Sequence, residues 1–465
     1  MSASPRPGLT VLTTLRLGLF QACLGCLAVV FAGMLNRIMI SELAFPGLLV
    51  GGALAFEQFV APARVLFGQV SDRHPLAGRR RVPYVLLGAF LFCLLAVVAV
   101  PLIFHVGALL PMGDQPRLGF AIAALCGLFA LYGLSISLAS TPYLALVIDR
   151  TSEVERPRVV GLIWCMLTVG IVVGAIAISI SLRSLDGVSD PAVLQPVLMH
   201  FMTTLAGIVF ALTVFATWGM EPRREPLPLE GRDSQREDAV TLRQSWALIT
   251  SSRQVLIFFG FLILFTLGLF LQDPILESYA AQVFGMPIAA TAQLNAFWGI
   301  GTLVGLLVAG LWIVPRLGKL PTARLGCRLI AASLLLLLLS GLSRSVPVLQ
   351  FVMLLFGLAA GVGTNSALCL MLDLTLPQAA GAFVGVWGLA QALSRALGKV
   401  LGGGLFDLGR SLFVGPGPYP AFALVLGVEL TIALAALLLL ERVNIHRFRQ
   451  DTGRSLERVM AMEMG

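Results

Sequence analysis

The chain has 465 residues, 58% of them apolar and only 12% charged, with a formal net charge of +8 and a mean hydropathy of +0.92. A soluble fold of this length needs far more charge to cover its surface, and nucleic-acid binding would need a basic soluble domain that is absent here. The apolar residues come in blocks of roughly 20 or more, enough to cross about 30 Å of hydrocarbon and too long for barrel strands. Lipid offers the backbone no hydrogen-bond partners, so the blocks read as helices.

In chain order the pattern predicts spans near 15–36, 46–67, 83–105, 118–148, 158–182 and 194–219. After a polar stretch it predicts spans near 254–273, 288–314, 322–342, 346–372, 380–407 and 418–441. The organisation expected is an all-α membrane protein of twelve helices in two six-helix pseudo-repeats. Residues 1–219 form the first half, 220–250 a cytoplasmic central loop, 251–441 the second half and 442–465 a basic cytoplasmic tail. The first block is too long, and too free of a small-residue cleavage pattern, for a signal peptide, so it reads as a retained helix.

The basic residues set the expected orientation. With both termini inside, the cytoplasmic segments carry Arg6, Arg16, Arg73, Arg79, Arg80, Arg81, Arg150, Arg156, Arg158, Arg223, Arg224, Arg316 and Lys319. The outer side keeps only Arg37, Arg117, Arg183, Arg344 and Arg410. The tail beyond Leu440, with Arg442, Arg447, Arg449, Arg454 and Arg458, reads as a surface-lying or orienting segment. All seven cysteines fall inside predicted spans, and the Cys23–Cys26 CxxC lies on a membrane helix, where small buried residues are the better reading than a redox or metal pair.

The halves echo one another. At one constant offset Asp149 matches Asp373, Thr151 matches Thr375, Val160 matches Val384, Gly161 matches Gly385 and Gly174 matches Gly398. Repeated halves are a transporter architecture. The loop after the second helix carries Gly68, Asp72-Arg73 and Gly78-Arg79-Arg80-Arg81. It resembles the signature loop of the major facilitator superfamily, with His74 to Ala77 placing four residues where that family usually has one. Gly68 permits close helix approach, Asp72 can cap a helix N-terminus, and Arg73 or Arg79 can pair with Asp149. A cytoplasmic gate built of Gly68, Asp72, Arg73, Arg79, Arg80, Asp149 and Asp373 is weighed against a merely topology-setting basic loop. The second-half copy has Pro315 where the acid should stand, so one complete latch is expected.

Charge at mid-bilayer costs roughly 3 kcal/mol per residue and needs a partner. Glu57 in the second helix, Arg395 and Lys399 in the eleventh, and Glu429 in the twelfth form the predicted intramembrane network. Glu57 is expected to approach Arg395 or Lys399, with Glu429 competing, as a structural pair or as a substrate or proton site. Asn36, Arg37 and Glu42 after the first helix, and Gln272, Asp273, Glu277 and Tyr279 after the seventh, form an outer polar cluster. There an Arg37 contact with Asp273 or Glu277 is predicted, against a reading of solvated interfacial charge.

Three stretches together resemble one family. They are Gly33-Met34-Leu35-Asn36-Arg37-Ile38-Met39-Ile40-Ser41-Glu42-Leu43, then Ser71-Asp72-Arg73-His74 with Gly78-Arg79-Arg80-Arg81-Val82-Pro83-Tyr84, then Leu271-Gln272-Asp273-Pro274-Ile275-Leu276-Glu277 continuing to Val283-Phe284-Gly285-Met286. They look like the PucC/LhaA family, the bacteriochlorophyll-delivery branch of the major facilitator superfamily. That resemblance implies a facilitator-type bundle and a role in assembling bacterial light-harvesting antenna complexes in the intracytoplasmic photosynthetic membrane. The implied partners are antenna polypeptides, bacteriochlorophyll or its synthase, and the lipid bilayer. Bacteriochlorophyll would be a transient ligand, and no metal or other cofactor is implied.

Of the four histidines, His74 lies in the loop, His446 in the tail, and His105 and His200 near outer helix ends. The candidate pigment ligands are therefore His105, His200, Gln58 and Asn295, set against a reading of solvated interfacial side chains. Gly361 and Gly363, with Gly398, Gly402, Gly403 and Gly404, could admit an antenna helix, though packing within the bundle is the stronger reading. The assembly factor is favoured over a proton-coupled transporter of a small solute using Glu57, Asp149 or Asp373. An enzyme is disfavoured, because no nucleotide fingerprint, metal-ligand cluster or nucleophile–base set occurs.

Overall fold

The structure, a computed structural model, describes residues 10–63, 66–67, 70–71, 74–76, 78–112, 115–151, 156–185, 188, 190–221, 253–373, 380–415 and 417–443. Among these residues everything regular is helical, apart from one bridge between Leu76 and Arg79. The helices are α1 (Val11–Val29, continued by π-helical turns at Val30–Leu35 and Ile38–Glu42), α2 (Gly47–Phe59), α3 (Val82–Leu109), α4 (Gln115–Arg150), α5 (Arg156–Ser181) and α6 (Pro191–Thr217). They are followed by α7 (Arg253–Phe270), a short helix Leu276–Phe284, α8 (Ile288–Val308), α9 (Lys319–Ser343), α10 (Val346–Asp373), α11 (Ala380–Leu412) and α12 (Tyr419–Glu441).

Nine helices among the described residues are long and apolar enough to cross a membrane, and α2 and Leu256–Phe270 are shorter apolar helices. The remaining numbered helix, α11, has 33 residues and carries Arg395, Lys399, Asp407 and Arg410. The chain is a multi-pass membrane protein.

Local chemistry explains where the helices depart from the predicted spans. The second span was expected to run unbroken to residue 67, but α2 is interrupted after Phe59, and the described residues Ala63, Leu66 and Phe67 are helical again. Pro62 has no N–H, and its ring clashes with the carbonyl one turn earlier. The chain instead tightens, with Ala61 N donating to Gln58 O and Ala63 N to Val60 O. The seventh span ends at Phe270, and Pro274 lies in the turn before the short helix that Gly285 closes in the left-handed conformation (φ 69°). Asp149 lies in the last turn of α4 and Asp373 closes α10, while the matched glycines Gly161 and Gly385 sit in α5 and α11.

The chain forms two compact units. The first comprises Met1–Pro226, Asp273–Ile300 and Lys399–Phe422. In it α1 packs on α5 and α6, α3 on α4 and α6, and α2 on α4. Without a hydrophobic drive between helices in lipid, such packing depends on close approach. At the α1–α5 crossing Gly25 faces the Leu167 carbonyl and Gly170 faces the Ala22 carbonyl, with no room for a Cβ at either. An aromatic layer lies alongside: Phe31 stacks on Tyr132 at 4.0 Å, and Phe20 meets Tyr143 at 4.4 Å. The Tyr143 hydroxyl donates to Leu17 O at 2.7 Å, so this phenol is buried without losing its partner.

The second unit comprises Leu227–Gln272, Gly301–Gly398 and Ala423–Gly465. Its main contact is α9 on α10, where Gly326 meets Gly363. Gly361 faces the Thr302 carbonyl, Gly363 the Phe265 ring and Gly398 the Leu267 side chain. In the first unit Gly403 faces the Gly47 carbonyl. These glycines are occupied by packing within the bundle. None of the cysteines forms a disulfide, and Cys23 and Cys26 are buried in α1, with Cys23 Sγ 3.8 Å from Val209 O.

Candidate functional site

The strongest concentration of buried polarity surrounds the end of α1. Each π-helical turn inserts an extra residue and swings the next turn of helix onto a new face, a feature common at functional sites. Asn36 and Arg37 lie between two such turns and are 0% and 4% exposed. Arg37 Nη1 donates to Thr291 Oγ1 at 2.7 Å, while Nη2 donates to Met286 O at 3.1 Å and to Glu42 Oε1 at 3.4 Å. A guanidinium this deep needs acceptors to offset its lost hydration, and its two terminal nitrogens have three.

Asn36 Nδ2 reaches Asp273 O at 3.0 Å. Glu277, 3% exposed, lies against Gly33 and accepts from Asn295 Nδ2 at 2.5 Å. Of the predicted cluster, Asn36, Arg37 and Glu277 are thus buried rather than solvated, and Asp273, half-buried, adjoins them. Its geometry differs in detail: Asp273 joins through its carbonyl to Asn36, and Glu277 is an electrostatic neighbour of Arg37. Thr291 belongs to none of the stretches singled out in the sequence, and Met286, at the end of the third, joins through its backbone carbonyl. Their role depends on the start of α8 folding back beside α1.

A second constellation links α2 to α11. The N-cap of α2 is Pro46, whose side chain offers no acceptor. The Asp407 carboxylate fills the gap, accepting from Gly47 N and Leu48 N, each at 2.7 Å. Glycine permits the approach, since Gly51 faces the Lys399 carbonyl and Gly47 and Gly403 face one another. Further along, Lys399 Nζ lies 3.8 Å from Glu57 Oε2, which makes Lys399 the partner among those predicted for Glu57. Glu57 Oε1 also accepts from Gln58 Nε2 at 3.2 Å.

Within the second unit the Arg395 guanidinium lies 4.3 Å from the Phe270 ring centroid. There too the fully buried Glu429 accepts from Gln272 N at 3.4 Å. Asp407 was not legible beforehand, because a helix cap supplied from another helix has no sequence signature. Replacing Asp407 with Ala should cost about 1–2 kcal/mol, the worth of a charge-assisted N-cap. Thermal unfolding in detergent would check this, with Ser411→Ala, an exposed change on the same helix, as the control.

The loop after α2 forms the third constellation. Arg81 Nε lies 3.3 Å from Asp149 Oδ2, and Arg81 Nη1 donates to Ser71 Oγ at 2.9 Å. Of the two basic residues expected to pair with Asp149, Arg73 lies outside the described residues, and Arg81 rather than Arg79 makes the described contact, because Arg81 stands at the N-cap of α3, next to the last turn of α4. That helix start is capped by Glu221, whose oxygens accept from Arg80 N, Arg81 N and Val82 N at 2.7 to 3.1 Å. Tyr84 Oη donates to His74 O at 2.6 Å. Arg79 joins the bridge to Leu76 through its backbone. Gly68, Asp72 and Arg73 lie outside the described residues, as does the side chain of Asp373.

The sequence profile described as "PUCC protein" matches residues 34–448. The chain belongs to the PUCC protein family. Among curated relatives, Protein PucC of Rhodovulum sulfidophilum is 32% identical over 404 residues, covering 85% of each chain. An uncharacterized protein in the puhA-bchM intergenic region of Rhodobacter capsulatus is 31% identical, over 85% of this chain and 80% of the relative. A protein of Rhodobacter capsulatus named bacteriochlorophyll synthase 44.5 kDa chain is also 31% identical, over 90% of this chain and 92% of the relative.

Among solved structures, a mutant of the nucleoside transporter NupG superposes with a TM-score of 0.68 at 13% identity, covering 92% of this chain and 99% of its own. A D-xylose-proton symporter superposes with a TM-score of 0.64 at 14% identity, covering 92% and 97%. These likenesses show the fold alone: this PUCC family member has the major facilitator bundle.

The four side chains considered for pigment ligation fall into two classes. Gln58 and Asn295 already hydrogen-bond to Glu57 and Glu277. His105 in α3 and His200 in α6 are exposed on the helix surface. His200 was expected at a helix end. Because α6 begins at Pro191, it lies nine residues in, about 14 Å along the axis.

Proposed function

We propose that this protein is an assembly factor for bacterial light-harvesting antenna complexes, binding antenna polypeptides, delivering bacteriochlorophyll, or both. The observation that carries the reading is the match to the PUCC family over residues 34–448, on a fold in which several polar side chains within the helices are engaged by other helices. Arg37, Asp407 and Glu277 each tie helix to helix. Groups committed in this way favour a scaffold over a hydrated path for a polar solute. The names borne by relatives, PucC and a bacteriochlorophyll synthase chain, support a place in the photosynthetic membrane. The distribution of basic residues supports both termini lying in the cytoplasm.

Bacteriochlorophyll is cargo in this scheme. Its magnesium takes an axial nitrogen or oxygen ligand, and His200 meets that need best, being exposed on a span and well inside it. Gln58 and Asn295 would first have to release a carboxylate. The competing reading, a proton-coupled transporter, draws on the facilitator fold and on the Glu57–Lys399 pair.

Purification of the tagged protein in mild detergent from a phototroph's membranes separates the two. The assembly role predicts near-infrared absorbance and co-eluting antenna polypeptides, with His200→Leu lowering pigment several-fold while the polypeptides remain. A colourless, partner-free, folded protein that catalyses solute uptake in liposomes would overturn it.

A further inference from the structure

A groove of about 310 Å³ opens between α5 and the start of α8, outside each of the three polar constellations. Its walls are graded along the helix axes. Arg183 stands at one end, just past α5. Ser179 and Gln293 follow, joined by a 2.9 Å hydrogen bond. Ile180 lines the wall between Ser179 and Arg183, and Ile176, Ala296, Phe297 and Ile300 line the remainder. At 1.5 Å of rise per residue, Ser179 lies about 6 Å and Ile176 about 10 Å below Arg183. Arg183 is exposed and has no hydrogen bond or ion pair among the described residues. Gln293 uses one N–H on Ser179 and has a second to give. Ile176 and Ile300 are exposed on the flank of the helices, at 47% and 45%.

We propose that this groove is a binding site for one anionic diacyl phospholipid. The order cation, amide and hydroxyl, hydrocarbon matches the order phosphate, ester carbonyl, acyl chain. The guanidinium suits a phosphate, which it can engage through two N–H groups and which a surface cation attracts from an anionic bilayer. The volume lies at the lower limit of small-molecule pockets, enough for part of a linear chain. An antenna helix, about 10 Å across, is too broad. The inference is independent of the proposed function, because an assembly factor and a solute transporter would both carry such a lipid.

Native mass spectrometry of the full chain, titrated with phosphatidylglycerol or phosphatidylcholine of identical acyl chains, tests it. The expected result is about tenfold tighter retention of phosphatidylglycerol, reduced to the phosphatidylcholine level by Arg183→Gln. Ile300→Trp, which fills the groove from an exposed position, should weaken both lipids. Equal retention of the two lipids by the unaltered protein, or a preference that survives Arg183→Gln, overturns the proposal. So does displacement of the lipid by a long-chain isoprenoid alcohol at equal concentration, since the groove would then select the tail and not the phosphate.

Discussion

Arg37→Ala should destabilise the protein by about 3–5 kcal/mol, the range for deleting one member of a buried charged network. The loss has two parts. Thr291 Oγ1 and Met286 O, which accept from the guanidinium at 2.7 and 3.1 Å, are left without that donor. The carboxylates of Glu42 and Glu277 also lose their neighbouring positive charge. Arg37→Lys should recover less than half of this, because an ammonium cannot span a hydroxyl, a carbonyl and a carboxylate with one rigid fork. Thr291→Val, removing a single neutral partner, should cost about 1–2 kcal/mol. Thermal unfolding in detergent, followed by tryptophan fluorescence, gives all three values. If Arg37→Ala melts with the unaltered protein, the cluster is solvated decoration and the reading of a buried network is wrong.

The second large effect is expected at Gly170. A Leu there would drive its Cβ into the Ala22 carbonyl of α1, and both sides of the contact are backbone. Overpacking in cores usually costs about 1–3 kcal/mol when side chains can yield. Two helical backbones cannot yield locally, so Gly170→Leu should cost about 3 kcal/mol or more and leave little monodisperse protein. Gly207→Leu provides the contrast, because nothing lies within 4 Å of the position its Cβ would take. Size-exclusion chromatography of the two variants separates a packing effect from a general dislike of leucine. Similar profiles would show that the α1–α5 contact is not a tight crossing.

Much of this was legible in the residues. Long apolar blocks bounded by Pro, Gly and charge gave spans that mostly agree with the helices to within a few residues, because lipid leaves the backbone little choice but helix. The exceptions have local causes. Pro62 interrupts the second span after Phe59, and the π-helical turns carry α1 on to Glu42. Membrane-embedded charge was a sound guide as well, since its cost demands a partner, and Glu57 meets Lys399.

The particular partners were less accessible. Arg79 and Arg81 are indistinguishable as letters in a basic loop. Only the start of α3, held by Glu221, decides that Arg81 faces Asp149. Asp407 reads as one more charge near a helix end until it is seen capping a helix some 360 residues earlier in the chain.

The sequence by itself determined class, element boundaries, family and the places where buried charge had to be answered, because those depend on local hydropathy, backbone chemistry and motif. The tertiary structure alone decided which groups answer one another. Arg37 joins Thr291, Asp407 caps α2, and Ser179 with Gln293 makes the polar step in a lateral groove. Each of these depends on helices distant in sequence approaching to within hydrogen-bond distance. That closeness is set by glycine contacts and helix crossings, which no single stretch of chain encodes.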